Sequence, residues 1–178
     1  MWKFIQKKKI AQALKKQREP RFLPLAQITD VALIVNYSQM EEIKPIVENM
    51  QQSGKTVDVY LIFASRSVQK NPHLKEKLLP ECQMIDSSGF SPFGEPNEVI
   101  RKQFLRKKFD VIIDLDGLDD RWTYLFLLHP CAFRVGVRSL DFSLYDFCIL
   151  KEERHTLMDV YSQMKFFLGN IRPSINNS

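Results

Sequence analysis

The chain has 178 residues, of which 44% are apolar, and a formal net charge of +5. That length suits one domain that buries roughly 70% of its unfolded surface without disulfide or metal staples, and no apolar run approaches the ~20 residues needed to span a bilayer. The charge is uneven: residues 1–21 hold eight Lys/Arg and one acid, whereas the rest holds 18 basic and 20 acidic residues, so a nearly neutral body carries a basic arm and the high pI says nothing of a nucleic-acid-binding fold.

Residues 2–18 are good helix formers with weak amphipathicity, broken by Pro20 and Pro24, and are expected to form a connector outside the core. The body starts near Thr29. Val31–Val35 is the first expected strand, and Met40, Ile43, Val47 and Met50 predict an amphipathic helix over 39–52. Val57–Ala64 predicts the second strand, Pro72–Leu79 a short helix, and Gln83–Ile85 a short third strand. A Gly/Pro loop with Phe90 and Phe93 follows, as a lid or as pins for the loop. Asn97–Lys108 is helical, with Val99, Ile100, Phe104 and Leu105 expected inward. Phe109–Leu115 is the fourth strand and Trp122–Leu128 a helix apolar nearly all round. Phe133–Val137 and Tyr145–Leu150 supply two more strands, and Leu157, Tyr161, Met164, Leu168 and Ile171 stripe a last helix.

Alternating strands and helices with short connections predict an α/β, Rossmann-like, mostly parallel sheet of about six strands covered on both faces. The domain limits read as a basic arm and connector at 1–28, the α/β body at 29–173, and a polar tail at 174–178. No hydrophobic segment of the secretory kind follows the basic N-terminus, which points to a cytoplasmic protein. Cys82, Cys131 and Cys148 are odd in number and form no CxxC pair, so buried, reduced thiols are expected. His73, His129 and His155 lack metal-ligand spacing, and neither a metal nor a cofactor is implied.

Parallel strands bring their C-terminal ends to one rim, the default place for a ligand. Five loops gather there: Asn36–Gln39, Ser65–Ser67, Asp86–Gly94, Asp116–Asp120 and Arg138–Asp141. The candidate ligand-binding residues are Asn36, Ser38, Ser65, Asp114, Asp116, Asp119 and Arg138. The first loop contains no glycine, so neither of the common phosphate-cradling sequences can be written there. Asp119 and Asp120 also read as a helix cap. Arg134 and Arg138 flank the fifth strand, where each can meet an acid or an anionic ligand.

Asp114-Leu115-Asp116-Gly117 resembles the start of the haloacid-dehalogenase phosphatases, an apolar strand followed by DxDG. That resemblance implies Asp114 as nucleophile and Asp116 as acid/base with a magnesium ion. Leu118 stands where that family has a hydroxyl residue, and Ser139 and Lys151 are nominees for the remaining roles. No later acidic pair completes the metal site. A second resemblance runs from Phe109 to Val137. A strand of the form D-hh-ID, with Asp110 and Asp114, precedes a helix and then the Arg134-Val135-Gly136 strand. This looks like the N-terminal half of heptosyltransferase-type glycosyltransferases, and the body resembles an uncharacterised family of small bacterial Rossmann-like proteins. The first loop lacks the Gly-Asp pair that supplies the glycosyltransferase base, and these 178 residues are expected to hold no counterpart of the second, donor-binding domain. The expectation is therefore a non-catalytic binding or scaffold domain for a protein partner, a second copy or a small ligand, with no catalytic residue assigned. The alternative is an enzyme using the acidic rim, as a metal-dependent phosphohydrolase or as a glycosyltransferase half acting with a separate subunit. The Lys/Arg-rich arm adds a candidate contact with an anionic surface.

Overall fold

A computed structural model describes residues 2–14, 22–63, 78–92, 94–117, 123–129, 133–137 and 144–170. The elements are α1 (Trp2–Leu14), β1 (Asp30–Asn36), α2 (Met40–Gln52), β2 (Thr56–Phe63), β3 (Cys82–Asp86), α3 (Glu98–Leu105), β4 (Val111–Asp114), α4 (Thr123–Leu128), β5 (Phe133–Val137), β6 (Phe147–Ile149) and α5 (Leu157–Asn170). Six strands form one sheet in the order β3-β2-β1-β4-β5-β6, and every pairing is parallel. This is the Rossmann-like α/β arrangement that strand–helix alternation leads to.

β1 and β4 are central, and their apolar residues are buried without alternation because helices cover both faces. Successive side chains point to opposite faces. Val31, Leu33, Val35, Val111 and Ile113 therefore join one cluster with α2 and α5, while Ala32, Ile34 and Ile112 join another with Phe104, Leu125 and Phe126. In α5, Val160 is buried beside Leu157, Tyr161, Met164 and Leu168, adding a residue to the expected stripe. The expected helix over 72–79 and the Ala64 end of the second strand lie outside the described residues, apart from Leu78 and Leu79, which are not helical.

Three expectations change. In α3, Phe104 is buried and Ile100 half-buried, but Val99 and Leu105 are 63% and 45% exposed. Ile100 and Phe104 lie one turn apart and take the inward line, which leaves each neighbour about 100° off it. Next, α1 is not outside the core. Its Ile10 is fully buried, Leu14 packs against the second cluster, and Lys9 bonds Glu95 at 2.8 Å. This explains α4, whose apolar character all round fits an element lying between the sheet and α1. Finally, Cys148 is exposed rather than buried, because β6 is an edge strand; Cys82 is half-buried, and Cys131 lies outside the described residues.

Candidate functional site

Strand order reverses between β1 and β4, so the switch-point crevice opens beyond Asn36 on one side and Asp114 on the other. The Asn36 side chain accepts from the backbone N–H and the hydroxyl of Ser38, both at 3.2 Å, and caps a single 3-10 turn over Tyr37–Gln39. Asn36 and Ser38 thus stand at the rim as expected, engaged with each other. Phe90 packs on the second cluster, the pinning role rather than a lid; Phe93 lies outside the described residues.

At the end of β4 the structure is tighter. Asp114 is fully buried. Its Oδ1 accepts from the N–H groups of Asp116 and Gly117, both at 2.9 Å, which turns the chain sharply after the strand. Gly117 makes that turn with φ +80°, a conformation other residues adopt only with strain, and a Cβ there would also meet Val137 at 2.8 Å. The other oxygen, Oδ2, accepts from the Tyr145 hydroxyl at 2.5 Å. Burial pushes the Tyr145 hydroxyl far above its ordinary titration range, and the Asp114 charge and hydrogen bond push it the same way, so it remains a protonated donor.

Gly136 makes the Tyr145 contact geometrically feasible. It is the ladder neighbour of Asp114 on β5, and the Tyr145 ring lies where its side chain would be. A Cβ at Gly136 would collide with that ring. Nine residues, 138–146, separate β5 from β6 in the chain; among the described ones Leu144 is buried and Tyr145 stands edge-on to Phe126 at 5.5 Å. A glycine inside a strand signals such a close approach, so Gly136 is the sequence signal that could have located the aromatic residue. Lys151, just past β6, reaches back across β5 to Asp116 at 2.6 Å, with both side chains about a quarter exposed.

The other residues of the 109–137 pattern also have structural duties. Asp110 lies at the opposite, N-terminal rim, where its Oδ2 accepts from the N–H and hydroxyl of Thr29, both at 2.9 Å, and from the Asp30 N–H at 3.2 Å. It ties the start of β4 to the start of β1. Arg134 is buried on β5. Its backbone N–H donates to the Asp146 carboxylate at 2.9 Å and its carbonyl accepts from the Asp146 N–H at 2.8 Å, registering the edge connection. His129, after α4, is buried between Phe104 and Phe109, with Nε2 2.6 Å from the Phe104 carbonyl. Burial lowers its pKa, the carbonyl contact opposes that, and Arg134 adds to the lowering.

Of the expected site residues, the fold brings Asn36, Ser38, Asp114 and Asp116 to the switch point; Ser65, Asp119 and Arg138, with Ser139, lie outside the described residues. Tyr145 was not singled out by sequence patterning, and Lys151 takes a role as the partner of Asp116. Among the described residues no group of three or more His, Cys, Asp or Glu is placed to hold a metal ion. Asp114, enclosed and bonded on both oxygens, is not presented to a substrate. Asp116 and Lys151 are the more accessible charged pair.

Fold and site together define a Rossmann-like α/β domain whose switch-point carboxylate is engaged in internal hydrogen bonds. The chain belongs to a family of unknown function, DUF6913, whose model matches residues 3–171, so all of α5 and all of α1 but Trp2 fall within the match. No curated protein and no solved structure matches it.

Proposed function

We propose that this protein is a non-catalytic binding or scaffold domain of the cytoplasm, built on a Rossmann-like frame. The observation that carries the reading is the bonding of Asp114: Oδ1 holds the turn and Oδ2 holds Tyr145. Four of the residues that gave the chain its likeness to glycosyltransferases and phosphatases have a structural explanation: a strand tie for Asp110, a latch for Asp114, strand registry for Arg134 and ring clearance for Gly136. On this reading the resemblance to heptosyltransferase-type glycosyltransferases and to small bacterial Rossmann-like proteins reflects a similar frame rather than sugar transfer. The domain works through a protein or small-molecule partner, and its Lys/Arg-rich N-terminal helix supplies a contact for an anionic surface. No helix among the described residues is long and apolar enough to cross a membrane.

The second reading is an enzyme of the acidic rim, a phosphohydrolase or one half of a split glycosyltransferase. It is favoured by the partly exposed Asp116–Lys151 pair, a carboxylate and an ammonium at the position where the fold receives ligands. The two readings separate in turnover assays on purified protein with phosphomonoesters plus magnesium and with nucleotide sugars. The binding-domain reading expects no turnover above background. Turnover lost in Asp116→Asn, a change at a partly exposed position that leaves Asp114 and Tyr145 in place, establishes the enzyme instead.

A further inference from the structure

The N-terminal helix is anchored to the body and yet leaves large apolar side chains in water. Ile10 is fully buried and Leu14 packs on the second cluster. Lys9 bonds Glu95 at 2.8 Å, on the loop before α3. These contacts fix the rotation of α1 about its axis. With Ile10 and Leu14 inward, the helical period turns Phe4, Ile5, Lys8 and Gln12 outward. Phe4 is 74% exposed and Ile5 40%, and Lys8, Lys9 and Gln12 are exposed beside them. Phe4 and Ile5 thus hold apolar surface in water, which is unfavourable.

Charge points to the occupant of this face. Residues 1–21 carry a net +7 on a chain whose remainder carries −2. The outward face mixes apolar and basic groups, with Lys8 between Phe4 and Ile5 on the helix surface; at a bilayer surface Phe4 and Ile5 can enter the boundary below the headgroups while a lysine stem extends along them and keeps its ammonium with the lipid phosphates. Trp2, a residue type favoured in that layer, adjoins them in sequence. A nucleic acid would engage the lysines and could stack on Phe4, but Ile5 offers no π face for a base. We infer that α1 docks the protein on the surface of an anionic lipid bilayer through Phe4, Ile5 and the neighbouring lysines. This names the partner for the anionic contact proposed above and rests on that reading. Because Ile10 and Lys9 hold α1 to the body, docking would present the whole domain in one orientation.

The test is co-sedimentation of the full chain with phosphatidylcholine vesicles, with and without one-third phosphatidylglycerol, beside binding to a single-stranded oligonucleotide. Binding is expected to the anionic vesicles only, and to weaken as salt rises. Phe4→Ala with Ile5→Ala should weaken it roughly tenfold or more, and Lys8→Gln roughly fivefold. All three side chains are exposed, so the circular dichroism spectrum and thermal midpoint should be unchanged. Tight oligonucleotide binding without vesicle binding overturns the bilayer inference but keeps the anionic contact. Vesicle binding indifferent to the Phe4/Ile5 change also overturns the inference, since simple charge attraction would then suffice. Binding to neither target removes both readings.

Discussion

Replacing Tyr145 by Phe removes one hydroxyl and almost no volume, so it isolates the hydrogen bond to Asp114. The acceptor is a fully buried carboxylate and the bond is 2.5 Å long. Hydrogen bonds to charged groups contribute about 1.5–3 kcal/mol, and a buried acceptor that loses its donor retains its desolvation penalty. Water has poor access, because the ring covers Gly136 and abuts Phe126. The expected loss is therefore about 2 kcal/mol, which in urea, at a slope of roughly 2 kcal/mol per molar, lowers the unfolding midpoint by about 1 M. Equilibrium urea unfolding followed by far-ultraviolet circular dichroism measures it. A companion cycle tests the geometry. Gly136→Ala alone forces the ring away and should cost about 1–3 kcal/mol, but in a Tyr145→Ala background the added methyl meets no ring and its cost should largely vanish. If Tyr145→Phe stays within 0.5 kcal/mol of the wild type, a margin of about the usual surface-mutation scatter, the latch is not a stabilising element. The case for Asp114 as a structural residue then fails with it.

Three further outcomes follow from the same structure. His129 has a folded pKa below its ordinary 6.5 because burial penalises the imidazolium; the unfolded chain then binds more protons below that pH, so this contribution is complete above about pH 6.5 and is lost as pH falls. His129→Gln should flatten the decline in urea stability between about pH 7 and pH 5.5, and an unchanged pH slope would refute the assignment. Lys151→Met should lower stability by only about 0.5–1 kcal/mol, since the ion pair with Asp116 is partly exposed, whereas Gly117→Ala should lose more than ~1 kcal/mol from its positive φ and the Val137 contact; the reverse ranking in urea titrations would contradict this turn geometry. In a Cys131→Ser background, a thiol reagent should modify exposed Cys148 well before half-buried Cys82, whose thiol pKa is raised by burial; faster reaction at Cys82 would refute that ranking.

Much of the frame was legible in the order of residues. Unbroken apolar runs such as Val31–Val35 and Val111–Ile113 announced strands buried on both faces, and the i, i+4, i+7 stripe of the last helix announced a one-sided helix. Those signals are local, because strand and helix periods repeat within a few residues. The strand order, with its reversal between β1 and β4, was not local, yet alternation and short connections restricted it enough to locate Asn36, Ser38, Asp114 and Asp116 at one rim. The pattern could not say what those side chains touch. Asp114 and Tyr145 are 31 residues apart and meet only because two parallel pairings, β4 with β5 and β5 with β6, bring Tyr145 over Gly136. The inward position of Ile10 likewise depends on α4, more than a hundred residues away in the chain. Residue order therefore determined the frame and the rim of this protein, through short-range periodicity. The tertiary structure alone decided that the acid at the end of β4 is a buried latch and that the basic helix is docked with Phe4 and Ile5 facing outward, because long-range packing sets where each side chain ends.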